Sequence, residues 1–286
     1  MEISRSDIKL VRELNQKFFG NHIGEQKEQL ILNRIKKLYR SQSSFTNLSA
    51  MLDAISHGKY VQEFINAFTT NKTSFFREPI HFDDLLKRVF PEHFSHSNEI
   101  KIYSSASSTG EEPYSIAMTL LHYQMNHPKS LNVAVYATDI DTDVLETAKA
   151  GIYTHIESDS PFPNWIQPQH YFQRRIIDNH QHTLIRANDI MKKITHFKQH
   201  NLLDHEAAFG SIRFDVIFCR NVLIYFNLQS QEKVLRKLFN TLNIGGTLYT
   251  GHSETPITLF PYIEKIGPSI FKKIAEIQPR NESCIV

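Results

Sequence analysis

The stretch 100–118, IKIYSSASSTGEEPYSIAM, constrains the fold of this chain more than any other. Residues 100–104 have the composition of a short apolar strand and 105–110 are a run of small residues. Glu111-Glu112-Pro113 then opens a helix carried on by Ile116, Ala117, Leu120 and Leu121. Small residues between a strand and a helix let backbone approach a ligand, and Pro113 suits a first helical turn, where a missing N–H costs little. Such a unit is the nucleotide-binding corner of a doubly wound α/β sheet. Two carboxylates at the helix start would repel a phosphate, which needs positive potential and free N–H groups there. They suit a ligand that is cationic or rich in hydroxyl donors. S-adenosylmethionine, with its sulfonium, ammonium and ribose diol, is such a ligand.

A second corner agrees. Residues 133–137, VAVYA, form a β-rich run ending in Thr138-Asp139-Ile140-Asp141. An acidic side chain at the end of the second strand is placed to accept from ribose hydroxyls. Further on, the apolar run 214–219 stops abruptly at Arg220-Asn221. A central parallel strand is apolar on both faces, and polar residues at its carboxyl end sit where ligands bind. In this order the signals favour a methyltransferase-type sheet over a dehydrogenase.

The rest of the chain frames that sheet. Its 286 residues allow two compact domains, and 41% hydrophobic with 22% charged residues predicts a folded, soluble protein. A net charge of +2 argues against nucleic acid as a partner. The 15 histidines show neither HExxH nor Cys/His zinc spacing, so no metal is expected. Cys219 lies in an apolar run and Cys284 in a tail, which predicts no disulfide and fits a reducing cytoplasm. No apolar stretch approaches the ~20 residues that span a bilayer, and no signal peptide opens the chain.

Residues 1–90 read as an all-α N-terminal domain with helical stripes such as Ile8, Val11, Leu14 and Phe18. The basic positions Lys27, Arg34, Lys36, Lys37 and Arg40 read as a solvated face. Thr70, Asn71, Thr73 and Ser74 are cap and turn formers that would start a helix through 81–90. Arg77, after two aromatics, is placed to hold a carboxylate bidentately. Residues 91–98 are expected to link into the catalytic domain, 91–286. About 152–196 the α/β rhythm breaks into a small inserted antiparallel β subdomain, either a binding appendage or an edge piece packing its Trp and Phe on the sheet. A helix over 229–242 should stop at Gly245-Gly246 before a strand at 247–250, and 262–274 should supply a final antiparallel pair.

Five motifs then stand in register: AFTTNKTSFFRE (67–78), SSTGEEPYSIAM (107–118), ATDIDTDVLETAKAGIY (137–153), FDVIFCRNVLIYF (214–226) and GGTLYTGHSE (245–254). With them the chain resembles the CheR-type chemotaxis receptor methyltransferases, which move a methyl group from S-adenosylmethionine to receptor glutamates. The resemblance covers nearly all of the chain. It implies an α/β fold: a Rossmann-like methyltransferase sheet with the helical domain and inserted subdomain already described. It implies that Asn71, Thr73 and Arg77 contact the cofactor or lie beside its methyl group. Glu112 and Asp139 would hold its amino-acid or ribose portion. Asn201, Leu202, Arg220 and Asn221 would complete the pocket, and Tyr225 would lie near the transferred methyl. Arg77 and Tyr225 are the candidate catalytic residues. His252 and Glu254 read equally as pocket lining or as a structural turn.

The implied partner is the cytoplasmic helical domain of methyl-accepting chemotaxis receptors, the implied product S-adenosylhomocysteine, and the expected state a monomer. Some members of the family grip a receptor C-terminal peptide with a glycine-containing turn in the insertion. Residues 173–186, QRRIIDNHQHTLIR, contain no glycine, so direct recognition of the receptor helix is expected. Two rival classes remain: a non-catalytic cofactor-sensing scaffold, and a nicotinamide-dependent dehydrogenase, which the missing GxGxxG and the acidic pair at 111–112 disfavour.

Overall fold

A computed structural model describes residues 3–42, 44–128, 130–156, 161–178 and 182–277. The amino-terminal part is helical: α1 (Arg5–Phe19), α2 (Glu28–Ser41), α3 (Leu48–Ser56) and α4 (Val61–Phe68). Ser4 starts α1 with a reciprocal capping box to Asp7, and Asn47 caps α3 through the Ala50 N–H, satisfying donors that a helix start leaves free. Ile8, Val11 and Leu14 close on Ile31, Ile35, Met51, Leu52, Phe64 and Phe68 in one apolar cluster. Most of the basic positions of α2 face solvent, but Arg34 turns inward. Its guanidinium donates to the Phe68 carbonyl and, at 3.0 Å, to Thr70 Oγ1, fixing the exit of α4.

Two expectations about the next segment need correction. Residues 70–74 do not cap a helix: α5 (Ile80–Asp84) starts at Pro79 without a side-chain cap. The stretch 91–98 is not simply linker, because α5 runs through a π-helical turn (Leu85–Val89) into α6 (Phe90–Phe94). Phe90 and Phe94 lie one turn apart and are buried with Phe82 and Leu85 in the core under the sheet, where Tyr123 packs on both rings. Burial of that stripe outweighs the local signal of Pro91, which a first turn tolerates.

The sheet follows: β1 (Glu99–Ser104), α7 (Glu111–Met125), β2 (Asn132–Asp139), α8 (Thr142–Ala150), β3 (Ile152–His155), β4 (Phe172–Asp178), β5 (His182–Ala187), α9 (Asp189–Ile194), β6 (Thr195–Gln199), β7 (Phe214–Cys219), α10 (Leu228–Thr241), β8 (Leu242–Thr250), β9 (Ile263–Gly267) and β10 (Ile270–Lys273). The main sheet has the order β6-β2-β1-β7-β8-β10-β9, with β10 antiparallel to both neighbours and the remaining pairs parallel. The chain reverses its winding between β1 and β7, so the crevice of the switch point opens at their carboxyl ends. The antiparallel sheet β3-β5-β4 is inserted after α8.

Gly245 and Gly246 do not stop the helix; they lie inside β8, where pairing slips between Phe214↔Leu242 and Val216↔Thr247. A Cβ on Gly246 would come within 2.8 Å of the Asn243 carbonyl and 2.9 Å of that of Asp215, so only glycine fits the bulge. The expected final antiparallel pair is present as β9 and β10. Among the described residues no helix is long and apolar enough to cross a membrane.

Candidate functional site

The loop after β1 is held by the ends of its neighbours: Ser105 N–H donates to the Phe218 carbonyl (2.9 Å) and Ser107 N–H to that of Thr138 (2.8 Å). That opens a cavity of about 310 Å³ at the switch point, and every site residue expected from the sequence lines it. Asp139, buried at the end of β2, accepts from the Ser108 N–H at 2.8 Å and the Asp141 N–H at 3.0 Å. Burial raises its pKa, and those two N–H groups oppose the rise. Ser108 takes a left-handed φ of 48° and gives its hydroxyl to the Asn71 carbonyl at 2.9 Å. Asn71 in turn donates its amide to Asp141 Oδ2 at 2.7 Å. Asn71 is thereby fixed as cavity wall, and Thr73 lines the cavity beside it.

The opposite wall turns on Arg220, whose side chain is 1% exposed at the end of β7. Its Nη1 donates to Glu112 Oε2 at 2.8 Å, and its Nη2 lies 2.5 Å from the Arg77 carbonyl and 3.0 Å from Glu78 Oε2. Ser104 donates to the other Glu112 oxygen at 2.7 Å. Burial raises the pKa of Glu112 against the pull of Arg220. Glu78 goes the other way: burial pushes it up, but Arg220, Asn221 and His252 together hold it below its ordinary value. The two carboxylates share one arginine, and only Glu78 keeps a lowered pKa. Asn221 adopts φ 57°, its N–H donating to Glu254 Oε2 at 2.6 Å. Glu254 also accepts from Gly251 and Ile224, so it ties the loops after β7 and β8 and is a structural turn rather than lining.

The roof comes from the helical part. The residues after α1 pair with the loop after β7: Asn21 bridges Phe226, and the His22 N–H donates to the Tyr225 carbonyl at 2.9 Å. Asn201 gives its amide to the Phe18 carbonyl at 2.8 Å, and Leu202 is fixed by Lys237 on its own carbonyl. Gly20, at φ 68°, sits where a Cβ would lie 2.5 Å from Leu203. Tyr225 stands half-buried in the lining, while Arg77 is exposed at the rim, its guanidinium 3.1 Å from the Lys72 carbonyl. Beneath Arg77, Trp165 and Phe162 of the insertion pack edge-on against Phe76, at 5.6 and 6.1 Å. The aromatics of the insertion share the core cluster of the sheet and also pack against Phe75 and Phe76, beside the cavity-lining Ser74 and Arg77.

Sequence reasoning missed Glu78, Phe19 and Asn21. Glu78 follows Arg77 within a quoted motif and has φ 56°, a strained backbone state that clusters at functional sites. Nothing local marks Phe19 and Asn21, whose role exists only through the distant loop that they meet.

The residues fit S-adenosylmethionine: buried carboxylates face the cavity, and no glycine-rich phosphate cradle is present at the switch point. A doubly wound sheet with this crevice defines the class of S-adenosylmethionine-dependent methyltransferases. Residues 71–263 match the family model described as CheR methyltransferase, SAM binding domain, and the chain belongs to that family. It is 33% identical over 280 residues to the chemotaxis protein methyltransferase of Borreliella burgdorferi, covering 96% of each chain. To that of Klebsiella aerogenes it is 38% identical, over 89% of this chain and 84% of the other. To that of Escherichia coli K12 it is 35% identical, over 93% and 88%.

Proposed function

We propose that this methyltransferase esterifies glutamate side chains in the cytoplasmic helical domain of chemotaxis receptors. The observation that supports it best is the arrangement across the cavity: buried carboxylates at the back, and an exposed Arg77 with Tyr225 at the front. In this reading Glu112 and Asp139 hold the ammonium and ribose of S-adenosylmethionine, and Arg220 aims Glu112 and favours its charged form. Asn71, Thr73, Asn201, Leu202 and Asn221 complete the pocket. The bound group supplies an electrophilic methyl on a sulfonium, leaving as S-adenosylhomocysteine.

A substrate glutamate, with a reference pKa of ~4.3, is an anion at neutral pH, so no residue need act as general base. Arg77 positions that carboxylate and Tyr225 shapes the transfer site, so the chain contributes orientation and desolvation. A strong Arg77 pair would lower the carboxylate's nucleophilicity, which makes its role positioning rather than activation.

The same proposal takes residues 1–90 and 91–286 as two domains, with the β subdomain at about 152–196. Separate apolar clusters support the division, although the helix over 80–94 packs with the sheet. A monomer in the cytoplasm, recognising the receptor helix directly, completes the reading. The turn of the insertion that bears on peptide recruitment lies outside the described residues.

The test is methyl transfer from labelled S-adenosylmethionine to a receptor cytoplasmic fragment, with a Glu→Gln substrate series. Base-labile label that vanishes with the Gln substrates is expected. Tight cofactor binding with no transfer to any receptor fragment would instead favour the sensing scaffold.

A further inference from the structure

One carboxylate oxygen behind the cavity faces three partners. Glu78 Oε2 lies 3.0 Å from Arg220 Nη2, 3.7 Å from His81 Nδ1 and 3.7 Å from His252 Nε2. The candidate ligand atoms of Glu78, His81 and His252 all fall within 4.8 Å of one another. His81 supplies a second, independent observation. It is fully buried, and neither of its ring nitrogens makes a hydrogen bond of normal geometry. The Pro268 carbonyl approaches closely enough to favour the charged ring slightly, but burial and Arg220 hold its pKa down to about 4. A buried imidazole that is neutral and short of partners is costly unless something else uses its lone pair.

We propose that Glu78, His81 and His252 bind one divalent transition-metal ion of the zinc class, and that its binding and the Glu78–Arg220 ion pair exclude one another. One carboxylate oxygen and two imidazoles are the donor set that such ions favour, with a fourth position left for water. First-row ions bind these donors at ~2.0–2.2 Å, so the two 3.7 Å separations from Glu78 must each close by several tenths of an ångström and the two imidazoles must be drawn together with them. His252 has the freedom to do so: its side chain is 60% exposed and borders a second cavity, of about 350 Å³, that gives access to solvent. The Glu78 oxygen cannot serve a dication and a guanidinium equally, because Arg220 and the ion repel at this separation. Metal binding therefore releases Arg220, which also orients Glu112 in the methyl-donor cavity. The site is a means of inhibition by transition metals. It rests on the cofactor assignment of Glu112 but on no particular methyl acceptor.

The experiment titrates metal-free, full-length protein with zinc sulfate by calorimetry, and measures S-adenosylmethionine affinity with and without zinc. One saturable site per chain is expected, weakened on the order of tenfold or more in His252→Ala. Zinc should lower S-adenosylmethionine affinity in the wild type, reversibly with chelator, and leave the His252→Ala protein unaffected. Because His252 is exposed and outside the methyl-donor cavity, its substitution spares the fold. Absence of a 1:1 site, or wild-type zinc affinity in His252→Ala, would mean adventitious binding by surface histidines and overturn the proposal. A 1:1 site that leaves S-adenosylmethionine affinity unchanged would overturn the mutual exclusion. None of these readouts requires methyl transfer, so they stay separate from failure of the receptor assignment.

Discussion

Arg220 and Glu112, 108 positions apart in sequence, meet through a 2.8 Å hydrogen bond between side chains that are 1% and 13% exposed. Removing one partner of a buried pair strands the other's charge. Arg220→Ala should therefore lower unfolding stability by about 3–5 kcal/mol, since Glu78 is stranded with Glu112. Urea denaturation followed by circular dichroism measures it; a loss under 1 kcal/mol would show that solvent already screens the cluster.

Glu112→Gln removes a charge without removing bulk. Hydrogen bonds to charged groups are worth about 1.5–3 kcal/mol, which predicts a roughly 10–100-fold loss of S-adenosylmethionine affinity. Arg220 keeps Glu78 as a carboxylate partner, so the stability loss should be smaller than in Arg220→Ala. Calorimetric titration beside a melting curve separates the two effects.

Affinity for S-adenosylmethionine should fall on the acid side. Burial raises Glu112 and Asp139 above their ordinary values of 4.5 and 3.8 in the free protein. A cationic ligand favours the ionised carboxylates and so lowers their pKa on binding. Between bound and free values binding releases protons and affinity rises with pH; above the free values it is flat. Titrations in buffers of different ionisation enthalpy would reveal the proton release, and pH-independent affinity down to the ordinary carboxylate range would contradict this electrostatic picture.

Arg77→Ala tests positioning. Turnover should drop by roughly a hundredfold while S-adenosylmethionine affinity changes little, because a misplaced carboxylate loses near-attack geometry. Weakened S-adenosylmethionine affinity with turnover at saturating cofactor unchanged would reassign Arg77 to the cofactor.

Gly20→Ala combines a left-handed φ with a Cβ 2.5 Å from the flexible end of Leu203. A cost of about 1–2 kcal/mol in stability is expected from the backbone alone. Faster hydrogen exchange in the Tyr225 loop should accompany it if the roof contact holds that loop.

The sheet and its switch point were legible because periodicity and strand-end polarity are local: Asp139 and Arg220 each end an apolar run. The ten expected cavity residues all line it, but Asn71, Thr73, Asn201, Leu202 and Tyr225 were named as site residues only through the resemblance that the motifs in register carry. What stayed hidden was tertiary. Pro91 suggested a linker, but Phe90 and Phe94 find Tyr123 and the helix continues. Gly245-Gly246 suggested a helix stop, but they form a bulge whose need arises from the Asp215 carbonyl on another strand. Glu78 stood in a motif without an assigned role, and its part comes only from Arg220, 142 positions later at the end of β7.

The bridge between Asn21 and Phe226 has a temporal consequence. A ribosome delivers Asn21 early and Phe226 only after most of the sheet, and helices with local contacts form first during synthesis. The helical segment therefore waits, its roof edge unpaired, while some two hundred further residues are made. Until then the cavity lacks the side that residues 220–226 supply. Truncated translation products ending before Phe226 would thus carry most of the binding motifs and yet be unable to sequester S-adenosylmethionine.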